Sequence, residues 1–131
     1  MSRTNFSSGG VWESKIGYSR AVRVGQMIFV SGCTAADVNG NVAGDAYTQS
    51  RAALETIRAA LKGLGAGFAN VVRTRMYLRD MDDWEAVGRA HAEVFAGVLP
   101  AATMLEVSRF IHPAMLVEIE VDAVATEARD V

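Results

Sequence analysis

The sequence predicts an α+β sandwich: a mostly antiparallel sheet of short strands with two helices packed on one of its faces. Two periodicities carry this reading. Apolar residues recur at helical spacing from Leu54 to Leu64 and again from Trp84 to Phe95, whereas Val71–Leu78 and Leu116–Val124 alternate in the manner of strands. The resulting order, β-β-α-β-α-β-β, lacks the regular βαβ repeat of a parallel sheet, so both helices are expected on the same side.

The first ten residues, ending Ser7-Ser8-Gly9-Gly10, are small and polar, and residues 1–10 are expected to be a flexible N-terminus preceding a single domain over residues 11–131. A chain of 131 residues, 50% hydrophobic and 21% charged, has enough material for one core and too little for two.

From Ala21 to Ser31, two short apolar strands flank a Gly25-Gln26 turn, the signature of a hairpin. Asn39-Gly40 suits the positive φ angles of a tight turn. Asp45 is a natural N-cap for the helix whose stripe is Leu54, Ile57, Leu61 and Leu64, and Gly65 closes it. The strand that follows sets Val72, Thr74, Met76 and Leu78 on one face and Val71, Arg73, Arg75 and Tyr77 on the other. Asp82 and Glu85 have capping-box spacing for a second helix, with Trp84, Val87, His91, Val94 and Phe95 inward and Gly97 as its end. Strands over Thr103–Ser108 and Leu116–Val124 complete the chain, joined by a loop in which His112-Pro113 cannot occupy a central strand.

In the last strand Val117, Ile119 and Val121 point one way and Glu118, Glu120 and Asp122 the other. The helices belong on the apolar set. The opposite face then collects Arg73, Arg75, Tyr77, Glu106, Glu118 and Glu120, and such pairs contribute only ~0.2–1 kcal/mol each when wet, so their clustering points to an interface or a site.

Composition removes several function classes. A net charge of -2 provides no basic footprint for nucleic acid, and no apolar run approaches the ~20 residues of a membrane span. Cys33 is the single cysteine and the N-terminus has no apolar signal core, so a cytoplasmic protein is expected. Two histidines and one cysteine, far apart in sequence, predict no metal site.

Three segments carry a resemblance. Gly17-Tyr18-Ser19-Arg20-Ala21-Val22 is followed by Ile28-Phe29-Val30-Ser31-Gly32; Val72–Asp83 runs into Trp84; and Pro100-Ala101 precedes Leu105-Glu106-Val107 and Val117-Glu118-Ile119-Glu120. Together they resemble the reactive-intermediate deaminase (Rid, YjgF-like) family, whose opening motif reads Gly-Pro-Tyr-Ser-Gln-Ala. The resemblance implies a chorismate-mutase-like homotrimer with sites in clefts between subunits, a small-molecule substrate, and hydrolysis of imines or enamines such as 2-aminoacrylate without metal or organic cofactor. The family places an arginine directly after its Pro-Ala signature to hold the substrate carboxylate; here that position is Ala102, followed by Thr103 and Met104 in place of the usual Ser-Cys. A methyl group cannot grip a carboxylate, so standard 2-aminoacrylate deamination is expected to be lost or weak.

Glu118 matches the family's acidic residue and is the acid/base candidate, with an interfacial ion pair as its structural alternative. Tyr18 matches the pocket tyrosine, or else is a capping aromatic. Arg75, on the face of Glu118, is a candidate replacement cation, although most Arg–carboxylate clusters are structural. Ser31, Ala102 and Thr103 are assigned to the substrate site on the same resemblance, and Cys33, directly after the strand-ending Ser31-Gly32, is a candidate cleft thiol with core packing as its alternative. His91 reads as a satisfied core imidazole, His112 as solvated, and Cys33 has no neighbour that would activate its thiol. The alternative function is a trimeric ligand-binding or regulatory protein that uses the cleft without turnover. Ribonuclease activity, ascribed to relatives, fits poorly with the acidic charge balance.

Overall fold

The computed structural model describes residues 2–126, so the expected domain end at Val131 lies outside the described residues. Six strands, β1 (Arg3–Phe6), β2 (Ala21–Val24), β3 (Met27–Cys33), β4 (Val71–Leu78), β5 (Ala101–Glu106) and β6 (Val117–Val124), form one sheet in the order β1-β2-β3-β6-β4-β5. All neighbours are antiparallel except β4 and β5. That exception follows from the connection: a parallel pair requires a crossover, and the helix α3 (Trp84–Phe95) supplies it. The other helices are α1 (Val11–Ile16) and α2 (Ala46–Gly63).

The core lies between the sheet and the helices α2 and α3, where Leu54, Ile57 and Leu61 meet Val87, Phe95, Val117, Ile119 and Val121. The expected sandwich is therefore present. Asp45 caps α2 by accepting from the Thr48 N–H at 2.8 Å, and Gly25 closes the β2–β3 hairpin at φ +59°.

Five expectations need correction. The fold does not wait for Val11: Arg3–Phe6 pairs with β2, and the Phe6 ring packs so closely over Gly63 that a methyl there would overlap it. The short helix α1 was not anticipated either. In β4 a bulge between Val71 and Arg73 reverses the alternation, burying Val71 and leaving Val72 47% exposed. Trp84 is 54% exposed rather than inward, and Asp80, not Asp82, does the capping, through a short 3₁₀ turn that precedes α3. Finally, the strand expected over Thr103–Ser108 runs from Ala101 to Glu106, and its register places Glu106 beside the buried Leu78, away from the charged face; its carboxylate accepts from the Met81 N–H.

The remaining charged face is as the alternation predicts. Tyr77 stands opposite Glu118, Arg75 opposite Glu120 and Arg73 opposite Asp122. Half-exposed Phe29 stands opposite Asp122.

Candidate functional site

The site is built around an irregularity in β3. Between Val30 and Cys33 the register against β6 slips, because Ser31 and Gly32 form a bulge. A Cβ added at Gly32 would lie 2.7 Å from the Cδ of Glu118, so the absence of a side chain there is what lets the carboxylate lie across the strand.

A cavity of about 530 Å³ opens at this point, lined by Tyr18, Arg20, Cys33 and Glu118 together with Trp12 and Met115. Burial raises the Glu118 carboxyl above its usual range, the nearby Glu120 charge pushes the same way, and Arg20 opposes both. No hydrogen bond from a described residue contributes to its state. Such a carboxyl exchanges a proton nearer neutrality than a solvated one does.

Arg20 is the residue that sequence reasoning passed over. It is only 8% exposed, and its guanidinium donates from Nη1 to the Gly32 carbonyl at 2.7 Å and from Nη2 to the Tyr18 hydroxyl at 3.2 Å. Its Nη1 also lies 3.5 Å from Cys33 Sγ. The balancing anion is Glu13, 3.8 Å from Nε, which burial would raise but which hydrogen bonds from Ser8, Ser7 and Gly10 hold below its usual range. A charged residue directly before a strand normally reads as solvated; the signal was its position in the Tyr18 motif, where the family resemblance has glutamine.

Of the expected site residues, Tyr18, Cys33 and Glu118 converge on this cavity. The Cys33 thiol is pushed up to about 11 by burial, so it is a neutral wall group. Ser31 faces a shallower neighbouring depression beyond Tyr18 and donates to the Ser19 carbonyl at 2.8 Å. Arg75 does not line the cavity: Glu120 and Asp122 hold it at 3.4 and 3.2 Å. Ala102 stands opposite Thr74 at the β4–β5 edge, and Thr103 accepts from Arg73. His91 shares a 2.9 Å hydrogen bond with Thr74 and packs on Phe95 in the core, and His112 is half-buried, its Nδ1 accepting from the Ala114 N–H. Among the described residues no helix is long and apolar enough to cross a membrane.

Comparison with known proteins agrees with this fold. The chain is similar to Rv2704 of Mycobacterium tuberculosis, described as a member of the YjgF/YER057c/UK114 family, at 45% identity and a TM-score of 0.88, covering 95% of this chain and all of that one. It is 31% identical to the 2-iminobutanoate/2-iminopropanoate deaminase of Mus musculus, over 84% of this chain and 81% of the mouse protein. The 3-aminoacrylate deaminase RutC of Acinetobacter baylyi is 34% identical, over 78% of this chain and 82% of that protein. The profile of the Endoribonuclease L-PSP family matches residues 12–125, nearly the whole described fold, and the chain therefore belongs to that family, the YjgF or Rid group.

Proposed function

We propose that the protein hydrolyses small imines or enamines to the corresponding carbonyl compound and ammonia, in a cleft completed by a second copy of the chain within a cytoplasmic homotrimer. The observation that carries this reading is Glu118: a half-buried carboxyl, raised by desolvation, without a hydrogen-bonding partner among the described residues, facing a cavity that also presents Tyr18 and Arg20. Relatives named as imine and aminoacrylate deaminases support the reaction class.

In this mechanism Glu118 takes a proton from water as the oxygen adds to the C=N carbon. That proton passes to the nitrogen to give a neutral carbinolamine, whose hydroxyl proton then moves through Glu118 to the same nitrogen as the C=O forms, the C–N bond breaks and ammonia leaves. The balance is imine plus water to carbonyl plus ammonia. Tyr18 fixes the water or the substrate. Positions 102 and 103, on the outer strand β5, enter the cleft from the neighbouring copy, with Arg75 and Ser31 at its borders. Ala102 leaves 2-aminoacrylate poorly held, so it is a weak substrate.

Ammonia release from freshly generated imino acids tests the reading with the wild type, Glu118→Ala and Ala102→Arg. Turnover by the wild type that disappears in Glu118→Ala supports it. Silence in the wild type, with activity gained by Ala102→Arg, identifies a ligand-binding protein that has shed the reaction. Sedimentation velocity tests the trimer.

A further inference from the structure

A guanidinium carries only donors, so whatever bonds to it must accept. Just before β2 this fixes the polarity of a phenol. Arg20 Nη2 donates to the Tyr18 hydroxyl at 3.2 Å, and its Cζ lies 5.4 Å from the centre of the Tyr18 ring. The hydroxyl oxygen is therefore the acceptor in this pair, and its single proton is left for another partner. Among the described residues none takes it. Tyr18 lines both the cavity and the shallower depression beside it, and its bond to Arg20 is only partly buried, so that proton serves a guest rather than the core.

The fork cannot turn away from the phenol. Nη1 donates to the Gly32 carbonyl at 2.7 Å, in the bulge of β3, and Glu13 stands 3.8 Å from Nε. The side chain is buried, so these anchors leave the planar group one orientation. The opening motif that this segment resembles has glutamine at the same position. An amide can offer its carbonyl and take the hydroxyl proton for itself, whereas a guanidinium cannot. The bond to Gly32 also ties the fork to the residue beneath the Glu118 carboxyl, so phenol and acid are held at a fixed spacing on the cavity wall.

We propose that Arg20 is a positioning residue that commits the Tyr18 hydroxyl to donate into the cavity, onto the C=N or C=O acceptor of a guest. Arg20 itself does not touch the guest. That the acceptor is the nitrogen of an imine, with electrons drawn from the C=N bond as water adds, rests on the function proposed above; donation into the cavity does not.

Tyrosine labelled with ¹³C at Cζ reports the hydrogen bonding of its hydroxyl without any turnover. The probe is 4-methyl-2-pentanone, a ketone that accepts a hydrogen bond and cannot donate one. The Tyr18 resonance, assigned by its loss in Tyr18→Phe, should shift with the ketone in the wild type and stay in place in Arg20→Gln. Because Arg20→Gln leaves Glu13 without its cation, Glu13→Gln/Arg20→Gln is measured beside it, and circular dichroism checks both folds. A resonance that ignores the ketone in the wild type, or answers it equally in a folded Arg20 variant, overturns the proposal. In ammonia assays Tyr18→Phe and Arg20→Gln should each lower kcat roughly tenfold or more. Tyr18→Phe/Arg20→Gln should lose no more than Tyr18→Phe alone, since Arg20 acts through Tyr18; losses that multiply make Arg20 merely structural and overturn the proposal as well. A wild type that releases no ammonia removes the hydrolase, and the ketone titration alone then decides for or against the role of Arg20.

Discussion

The carboxyl of Glu118 lies over the Cα of Gly32 so closely that any side chain at position 32 must displace it. Gly32 has an ordinary φ, so the constraint is one of space and not of backbone conformation. Gly32→Ala is expected to lower stability by about 1–3 kcal/mol through overpacking and to reduce ammonia release at least tenfold. Denaturant melts of the double variant Gly32→Ala/Glu118→Ala should recover most of that stability, because the obstructing group is gone; additive losses would show that the two residues do not compete for the same space.

Burial makes ionisation of Glu118 costly to the folded state. Its folded pKa lies above the unfolded value near 4.5, so its favourable contribution is complete below that pH and is lost as pH rises through the folded pKa. Glu118→Gln should therefore melt at a higher temperature than the wild type at pH 7–8, and the difference should close below pH ~4.5. Equal melting temperatures across this range would show that the carboxyl is solvated.

His91 has the opposite sense. Burial lowers its pKa from 6.5, so the neutral ring in contact with Thr74 and Phe95 supports the fold above about pH 6.5, and that support is lost as pH falls toward the folded value. The urea midpoint should fall between pH 7.5 and pH 5. In His91→Gln that part of the acid loss should be absent.

Arg75 is held by two carboxylates on a half-exposed surface. Arg75→Ala in the isolated chain is expected to cost less than about 1 kcal/mol in denaturant melts. Its effect on oligomer size in sedimentation experiments should be the larger one, since this face carries the proposed subunit contact.

The elements legible in the sequence were those whose side-chain period is unbroken. The stripe of α2, the β2–β3 hairpin and the alternation of β6 all read directly, because one face of each is buried continuously. The bulges at Ser31-Gly32 and after Val71 were invisible, since one extra residue shifts the alternation without any compositional mark, and a bulge at a glycine is what makes room for Glu118. Arg3–Phe6 is polar apart from its final residue, so nothing in its pattern announced a strand; the anchoring contact, Phe6 on Gly63, joins positions far apart in the chain. Tyr18 and Glu118 were found through a motif resemblance and Cys33 from its place after Ser31-Gly32; the Tyr18 motif also contained Arg20, whose burial depends on carbonyl and hydroxyl partners that only the fold brings near.

The stretch from Ser8 to Arg20 supplies one whole side of the chamber, and the other side is the bulged strand with Glu118. In the proposed reaction, most of the guest-facing wall and the proton-transferring carboxyl thus belong to separate parts of the chain. Transplanting that stretch between relatives should carry over the choice of guest while the reacting group remains with the host sheet.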